Sequence, residues 1–167
     1  MGLGKTFGEA YLKAQIAAGE PLPRPAGADG SKAGKVFLTV KNSDRPAAVN
    51  IARDLHEMGF ELVATRGTAG AIREAGVPCE VVNKVAEGRP HVVDMIKSGG
   101  ISMVINTVEE RRNAIADSRV IRTNALLARL TTFTTIAGAE AVVEGMKFID
   151  KLSLEPLQKI HASIGQK

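Results

Sequence analysis

The sequence predicts an α/β fold in which a parallel five-stranded sheet carries helices on both faces. Two observations carry this expectation. Five short apolar, β-branched runs recur after residue 35, which suits strands buried on both sides. Between them lie segments with apolar residues three or four positions apart, most of them closed by glycine or proline, which suits covering helices.

The elements come in this order. Residues 6–18 read as a helix with Phe7, Ala10, Tyr11, Ala14 and Ala17 or Ala18 along one face, ended by Gly19 and Pro21. Pro21, Pro23, Pro25, Gly27, Gly30 and Gly34 then give residues 21–34 the composition of a linker. Residues 36–40 form the first strand. Asp44 is the expected cap of a helix with Pro46 in its first turn and Val49, Ala52, Leu55 and Met58 on one face, closed by Gly59. Residues 60–65 are strand two, 69–75 a helix stopped by Gly76 and Pro78, 80–83 strand three, and 92–97 a helix ended by Gly99 and Gly100. Residues 102–106 are strand four, 115–129 a helix, 131–134 strand five, and 136–149 a helix with Ile136, Ala139, Val143, Met146 and Ile149 along one face. The expected organisation is a leading helical segment (1–20), a connector (21–34) and one domain (35–167).

Composition narrows the function. The 167 residues are 44% hydrophobic, enough for one core but too few for several catalytic domains. The excess of 22 Lys and Arg over 18 Asp and Glu gives a net charge of +4, with no basic block. With no Trp, one Tyr and five Phe, aromatics do not alternate with basic residues as on nucleic-acid surfaces. Small anionic ligands remain in play. Cys79 is the only cysteine, so no intramolecular disulfide is available. No apolar run reaches the ~18 residues of a membrane span, and cytoplasm is the default expectation.

Open α/β sheets bind ligands beyond the carboxyl ends of their strands. Lys41, Asn42, Ser43 and Arg45 come after strand one, Thr65-Arg66-Gly67-Thr68 closes strand two, Asn83-Lys84 closes strand three, and Asn106-Thr107 closes strand four. The Thr65–Thr68 segment has the chemistry of a phosphate seat: glycine for a tight turn, a helix N-terminus beyond it, and hydroxyls on either side. The plain alternative is an ordinary turn in which Thr68 caps the helix. Arg45 and Lys84, at neighbouring strand ends, would supply the charge that a phosphate needs.

Other candidates carry less. Gly2-Leu3-Gly4-Lys5-Thr6 lacks the first glycine and the preceding strand of a P-loop. His56 and His161 read as solvated. His91 could face the crevice, but no second ligand stands at metal-binding spacing. Cys79 reads as a small buried side chain, and Glu109-Glu110-Arg111-Arg112 as a solvated loop or helix start.

The segment Gly59-Phe60-Glu61-Leu62-Val63-Ala64-Thr65-Arg66-Gly67-Thr68, then Glu74-Ala75-Gly76, Val82-Asn83-Lys84-Val85, Glu87-Gly88-Arg89-Pro90-His91, Ile105-Asn106-Thr107 and Asp117-Ser118-Arg119-Val120-Ile121-Arg122, stand in a recognisable order. They closely resemble the C-terminal regulatory domain of carbamoyl-phosphate synthase large chains, a member of the methylglyoxal-synthase-like superfamily. Residues 1–7 resemble the last stretch of the preceding synthetic domain. The resemblance implies a three-layer, Rossmann-like fold and an excised regulatory end of a larger, cytoplasmic chain. It implies no chemistry in this domain and no resident cofactor, but an allosteric nucleotide: in bacterial members UMP inhibits, IMP activates, and ornithine is a further activator near the domain boundary.

By the same resemblance, Thr65, Gly67, Thr68 and Lys84 hold the phosphate, with Arg45 where bacterial members can carry Lys. Asn106 and Thr107 line the ribose-phosphate side, and Thr39 lies near the base or ribose. The implied partners are the preceding synthetase domains, which use ATP with Mg or Mn, and a small glutamine amidotransferase subunit. Self-association is left open, and nucleic acid and membrane are not implied. Two departures stand out: Val108 comes after Thr107 where the family often has another hydroxyl, and the 109–113 loop is one residue longer than in some members.

Three other readings compete. Methylglyoxal synthase needs a carboxylate base in the loop after strand three and a His after strand four. Arg89 stands at the first position, and no His lies between His91 and His161. An inosine-monophosphate cyclohydrolase domain would carry a Lys-Thr-Leu-His type segment where 85–91 lie. A purely structural module would have no use for a phosphate cradle.

Overall fold

The computed structural model describes residues 2–19, 22–27, 32–109, 112–152, 154 and 156–164. Met1, Pro21 and Gly30 of the leading segment and connector, and Glu110 and Arg111 of the later loop, lie outside the described residues. The elements are α1 (Phe7–Ala17), β1 (Lys35–Thr39), α2 (Arg45–Glu57), β2 (Glu61–Thr65), α3 (Arg66–Glu74), β3 (Glu80–Val82), α4 (Val92–Lys97), β4 (Met103–Asn106), α5 (Arg112–Leu127), β5 (Thr131–Phe133), α6 (Ile136–Met146) and α7 (Leu157–Ile164).

All five strands are parallel, in the order β3-β2-β1-β4-β5. The chain alternation of strand and helix produces this, because a parallel neighbour is reached only by a crossover over the sheet. Along β1, side chains alternate between two cores. Val36 and Leu38 join Leu62, Ala64, Met103 and Ile105 under α2, α3 and α6, whereas Phe37 joins Val63 and Val104 under α4 and α5. The period of two thus divides each central strand between the two helical layers. Phe37 and Leu38 are fully buried on opposite faces.

Most boundaries match the sequence reading to within a residue or two. Three differ for physical reasons. Helix α3 starts at Arg66 rather than 69, so β2 passes directly into it, with the last strand residue, Thr65, as the cap. Helix α5 starts at Arg112, three residues before its first apolar position. Helix α6 stops at Met146, with Lys147 as its cap. Helix α7 and the short helical turn at Asn42–Asp44 are additions to the sequence reading.

The leading helix packs on α6 with Tyr11 of the expected apolar face against the core, but Phe7 of that face takes no part. Phe7 is 70% exposed, while Gly8, Glu9 and Leu12 are buried. Backbone proximity decides the face. A Cβ at Gly8 would lie 2.8 Å from Glu144 Cγ, and one at Gly145 would lie 3.0 Å from the Gly8 carbonyl. The two glycines therefore let the helices cross closely and seat Leu12 between them. Buried Glu9 accepts from the Lys5 N–H at 2.9 Å and from Lys13 Nζ at 2.8 Å, which offsets the cost of desolvating its carboxylate.

Leu12 is fully buried at this crossing, so Leu12→Ala is expected to cost about 2–5 kcal/mol in urea unfolding. An unchanged midpoint would mean that α1 is not part of the cooperative unit.

Candidate functional site

In this strand order the connections run outward from β1 in both directions, so the crevice opens where β1 meets β4. Thr39 and Asn106 end these two strands and are register partners. Beyond them the Thr107 N–H donates to the Thr39 carbonyl at 3.0 Å, extending the ladder by one bond.

Hydroxyls then knit the strand ends together. Thr65 Oγ1 lies 3.1 Å from Thr39 Oγ1. Thr68 Oγ1 accepts from the Val40 N–H at 3.2 Å, and Thr107 Oγ1 accepts from the Lys41 N–H at 3.1 Å. Thr65, Thr68 and Thr107 are buried, so these bonds hold the β1 exit loop in one shape. Thr68 is not the helix cap of the plain alternative: the cap is Thr65, and Thr68 sits inside the first turn of α3. No side chain caps that turn, leaving the positive end of the helix facing the crevice.

Charge comes from two directions. Arg45 is the first residue of α2, and its guanidinium lies across the first turn of α3. A Cβ at Gly67 would come 2.5 Å from an Arg45 terminal nitrogen, so the missing side chain leaves room for the guanidinium to lie there. Arg45 Nε is buried with no hydrogen-bond partner. Lys84 begins the loop after β3, and among the described residues its ammonium has no ion pair. Lys41, by contrast, lies 3.7 Å from Asp44, so its charge is already partly answered.

All eight residues expected at the site, Thr39, Arg45, Thr65, Gly67, Thr68, Lys84, Asn106 and Thr107, line one cavity of about 250 Å³. The sequence reading missed its far wall, which α5 supplies through Asp117, Ser118 and Ile121. Those residues lie at no strand end, so the rule that found the others could not reach them. Ser118 Oγ donates to Asn106 Oδ1 at 3.2 Å. The longer loop also contributes: Glu109 Oε1 accepts from the Asn42 N–H at 3.1 Å, tying the β4 exit to the β1 exit. Val108 and Glu109 both line the cavity.

The other candidates fall elsewhere. His91 caps α4 and does not line the cavity. His56 and His161 are exposed. Cys79 is buried, and burial pushes its thiol up to about 11, which fits a packing role. Among the described residues no three His, Cys, Asp or Glu side chains gather to hold a metal, and no helix is long and apolar enough to cross a membrane.

The loop bearing Lys84 is held by a clamp. Asn83 and His91 pair across its base as an isolated parallel bridge. Asp94 accepts from Arg89 and, at 3.0 Å, from the His91 N–H, while Glu87 accepts from the Lys84 N–H at 2.9 Å. The Arg89 guanidinium, with help from the His91 N–H, holds the Asp94 carboxyl down at about 2. A depressed carboxylate stabilises fully above its ordinary value and loses its effect only as the pH falls through the lowered one. Hydrogen-exchange protection at His91 is therefore not expected to fall from pH 7 to pH 5, since Asp94 stays ionised and the His91 ring lies 3.2 Å from the same carboxylate. Asp94→Asn is expected to lower it at both. Unchanged protection in Asp94→Asn would show that the carboxylate does not hold this loop.

Residues 47–134, more than half of the chain, match the MGS-like domain family. The chain is also 56% identical over 164 residues to the carbamoyl phosphate synthase large chain of Ralstonia nicotianae. It is 48% identical over 164 residues to that of Pseudomonas aeruginosa and 44% identical over 163 residues to that of Haemophilus ducreyi. Each alignment takes in 98% of this chain but only 14% of the relative. The expected sheet, helical layers and strand-end crevice are all present in the observed fold, and on that match and that architecture the chain belongs to the MGS-like domain family.

Proposed function

We propose that this chain is an allosteric nucleotide-binding domain belonging to the large chain of a glutamine-hydrolysing carbamoyl-phosphate synthase, and that its cavity takes a nucleoside monophosphate of the UMP or IMP type. One observation carries the reading. Arg45 and Lys84, neither ion-paired among the described residues, line the same cavity as the uncapped first turn of α3. Two cations, a helix N-terminus and a row of threonine hydroxyls are the chemistry of a phosphate seat. Asp117 and Glu109, on the side away from α3, suit the hydroxyls and N–H groups of a ribose and base.

Size supports the same assignment. The 250 Å³ cavity adjoins a second hollow of about 440 Å³, and the two share Lys84, Glu109, Ala114 and Asp117. A phosphate in the first would leave the nucleoside room in the second. The lyase reading lacks a base: Arg89 stands at the position in question, and Asp94 is engaged by Arg89 and His91.

In this reading regulation involves no chemistry in the domain. The nucleotide binds one arrangement of the domain and its neighbours better than another, and that difference in affinity is the regulatory signal. The neighbours would be the synthetase domains of the same cytoplasmic chain, which use ATP with Mg or Mn to make carbamoyl phosphate for pyrimidine and arginine synthesis, with a small amidotransferase subunit supplying ammonia. The exposed Leu3, Phe7 and Ile16 of the leading segment give such neighbours an apolar surface to meet.

Calorimetric titration of UMP, IMP and ornithine into the chain tests the reading. At least one nucleotide is expected to bind, and Lys84→Ala should lose about 1.5–3 kcal/mol, roughly ten- to a hundred-fold in affinity. Equal binding by wild type and Lys84→Ala would place the phosphate elsewhere.

A further inference from the structure

Asn106 is 1% exposed at the end of β4, and its side-chain amide is only half satisfied. Oδ1 accepts from Ser118 Oγ at 3.2 Å, whereas Nδ2 is buried with no partner. A buried amide donor without an acceptor is an exception among native polar groups. Asn106 also lines the cavity, so a ligand bound there would stand beside this unpaired donor.

Ser118 and Arg122 lie four residues apart, so both present to Asn106 from one face of α5. Ser118 engages the side-chain oxygen, and the Arg122 guanidinium donates to the Asn106 main-chain carbonyl at 2.9 Å. Arg122 Nε is itself buried without a partner. A guanidinium on the α5 side favours the electronegative end of the amide there and turns the NH₂ end away. Reversal of the amide would put the carbonyl oxygen where Nδ2 now lies and repel an anionic ligand oxygen.

We infer that Ser118 is a positioning residue, which with Arg122 behind it orients the Asn106 amide so that Nδ2 donates to an oxygen acceptor of the bound ligand. The inference rests on the nucleotide reading above and extends it to a residue that lies on no strand end. It also defines the ligand group at this point of the site as an acceptor, a phosphate or sugar oxygen, rather than a donor.

The test uses the chain with UMP and IMP as probes, read by calorimetry and by the side-chain amide signal of Asn106 in nitrogen-15 NMR. In wild type the Asn106 NH₂ signal is expected to shift on nucleotide addition. Ser118→Ala should bind roughly three- to ten-fold more weakly, the range of one neutral hydrogen bond, with a diminished shift. Ser118→Thr, which keeps the hydroxyl, should restore both. Should Ser118→Ala not fold, the wild-type signal still decides: an Asn106 NH₂ unmoved by a bound nucleotide overturns the inference. Wild-type affinity in a folded Ser118→Ala with an undiminished shift overturns it as well, leaving the nucleotide reading intact. Failure of wild type to bind either nucleotide overturns both.

Discussion

Everything at the candidate site depends on the parallel pairing of β1 with β4. That pairing sets Thr39 beside Asn106 and aligns the exits of four strands along one edge. An antiparallel neighbour at this point would send one of the two polar exits to the opposite edge. The buried layers on both faces enforce the arrangement, because slipping β4 by one residue would exchange Val104 with Met103 and Ile105 between two differently shaped cores. Residues more than sixty positions apart are thereby brought within hydrogen-bond distance, as with Lys41 and Thr107.

The electrostatics of the site are local rather than global. A net charge of +4 says little, since several basic side chains are tied up by carboxylates. Lys35 sits between Glu61 and Glu80, Lys147 between Asp54 and Glu144, and Arg89 against Asp94. Each of these cations has its pKa raised, first of all by a carboxylate hydrogen bond. Of the cations that line the cavity, Lys41 faces Asp44, whereas Arg45 and Lys84 have no ion pair among the described residues. Gly67 is part of this arrangement, since any side chain there would meet the Arg45 guanidinium.

The sheet was legible in the sequence because short β-branched runs between turn residues have few other uses. The strand-end site residues were legible by the same logic: once the strands are placed, the crevice rule points to the residues just beyond their carboxyl ends. Two features were not. The buried face of α1 was only partly legible: apolar spacing marks Phe7 and Tyr11, of which Tyr11 packs against the core and Phe7 stays exposed, whereas docking depends on the close approach of Gly8 and Gly145. The α5 wall was missed because Ser118 and Asp117 sit mid-helix, where polar residues ordinarily face solvent. Only the tertiary placement of α5 behind β4 shows that they line a cavity.

Backbone amide shifts recorded while UMP or IMP is titrated into the chain decide whether the strand-end cavity seats the phosphate of a nucleotide. The largest changes are expected at Gly67 and Thr68 in the first turn of α3, with a second group at Val40, Lys41 and Thr107. Changes confined to the amino ends of the strands, near Lys35 and Glu61, or none at saturating nucleotide, would contradict a phosphate seat there.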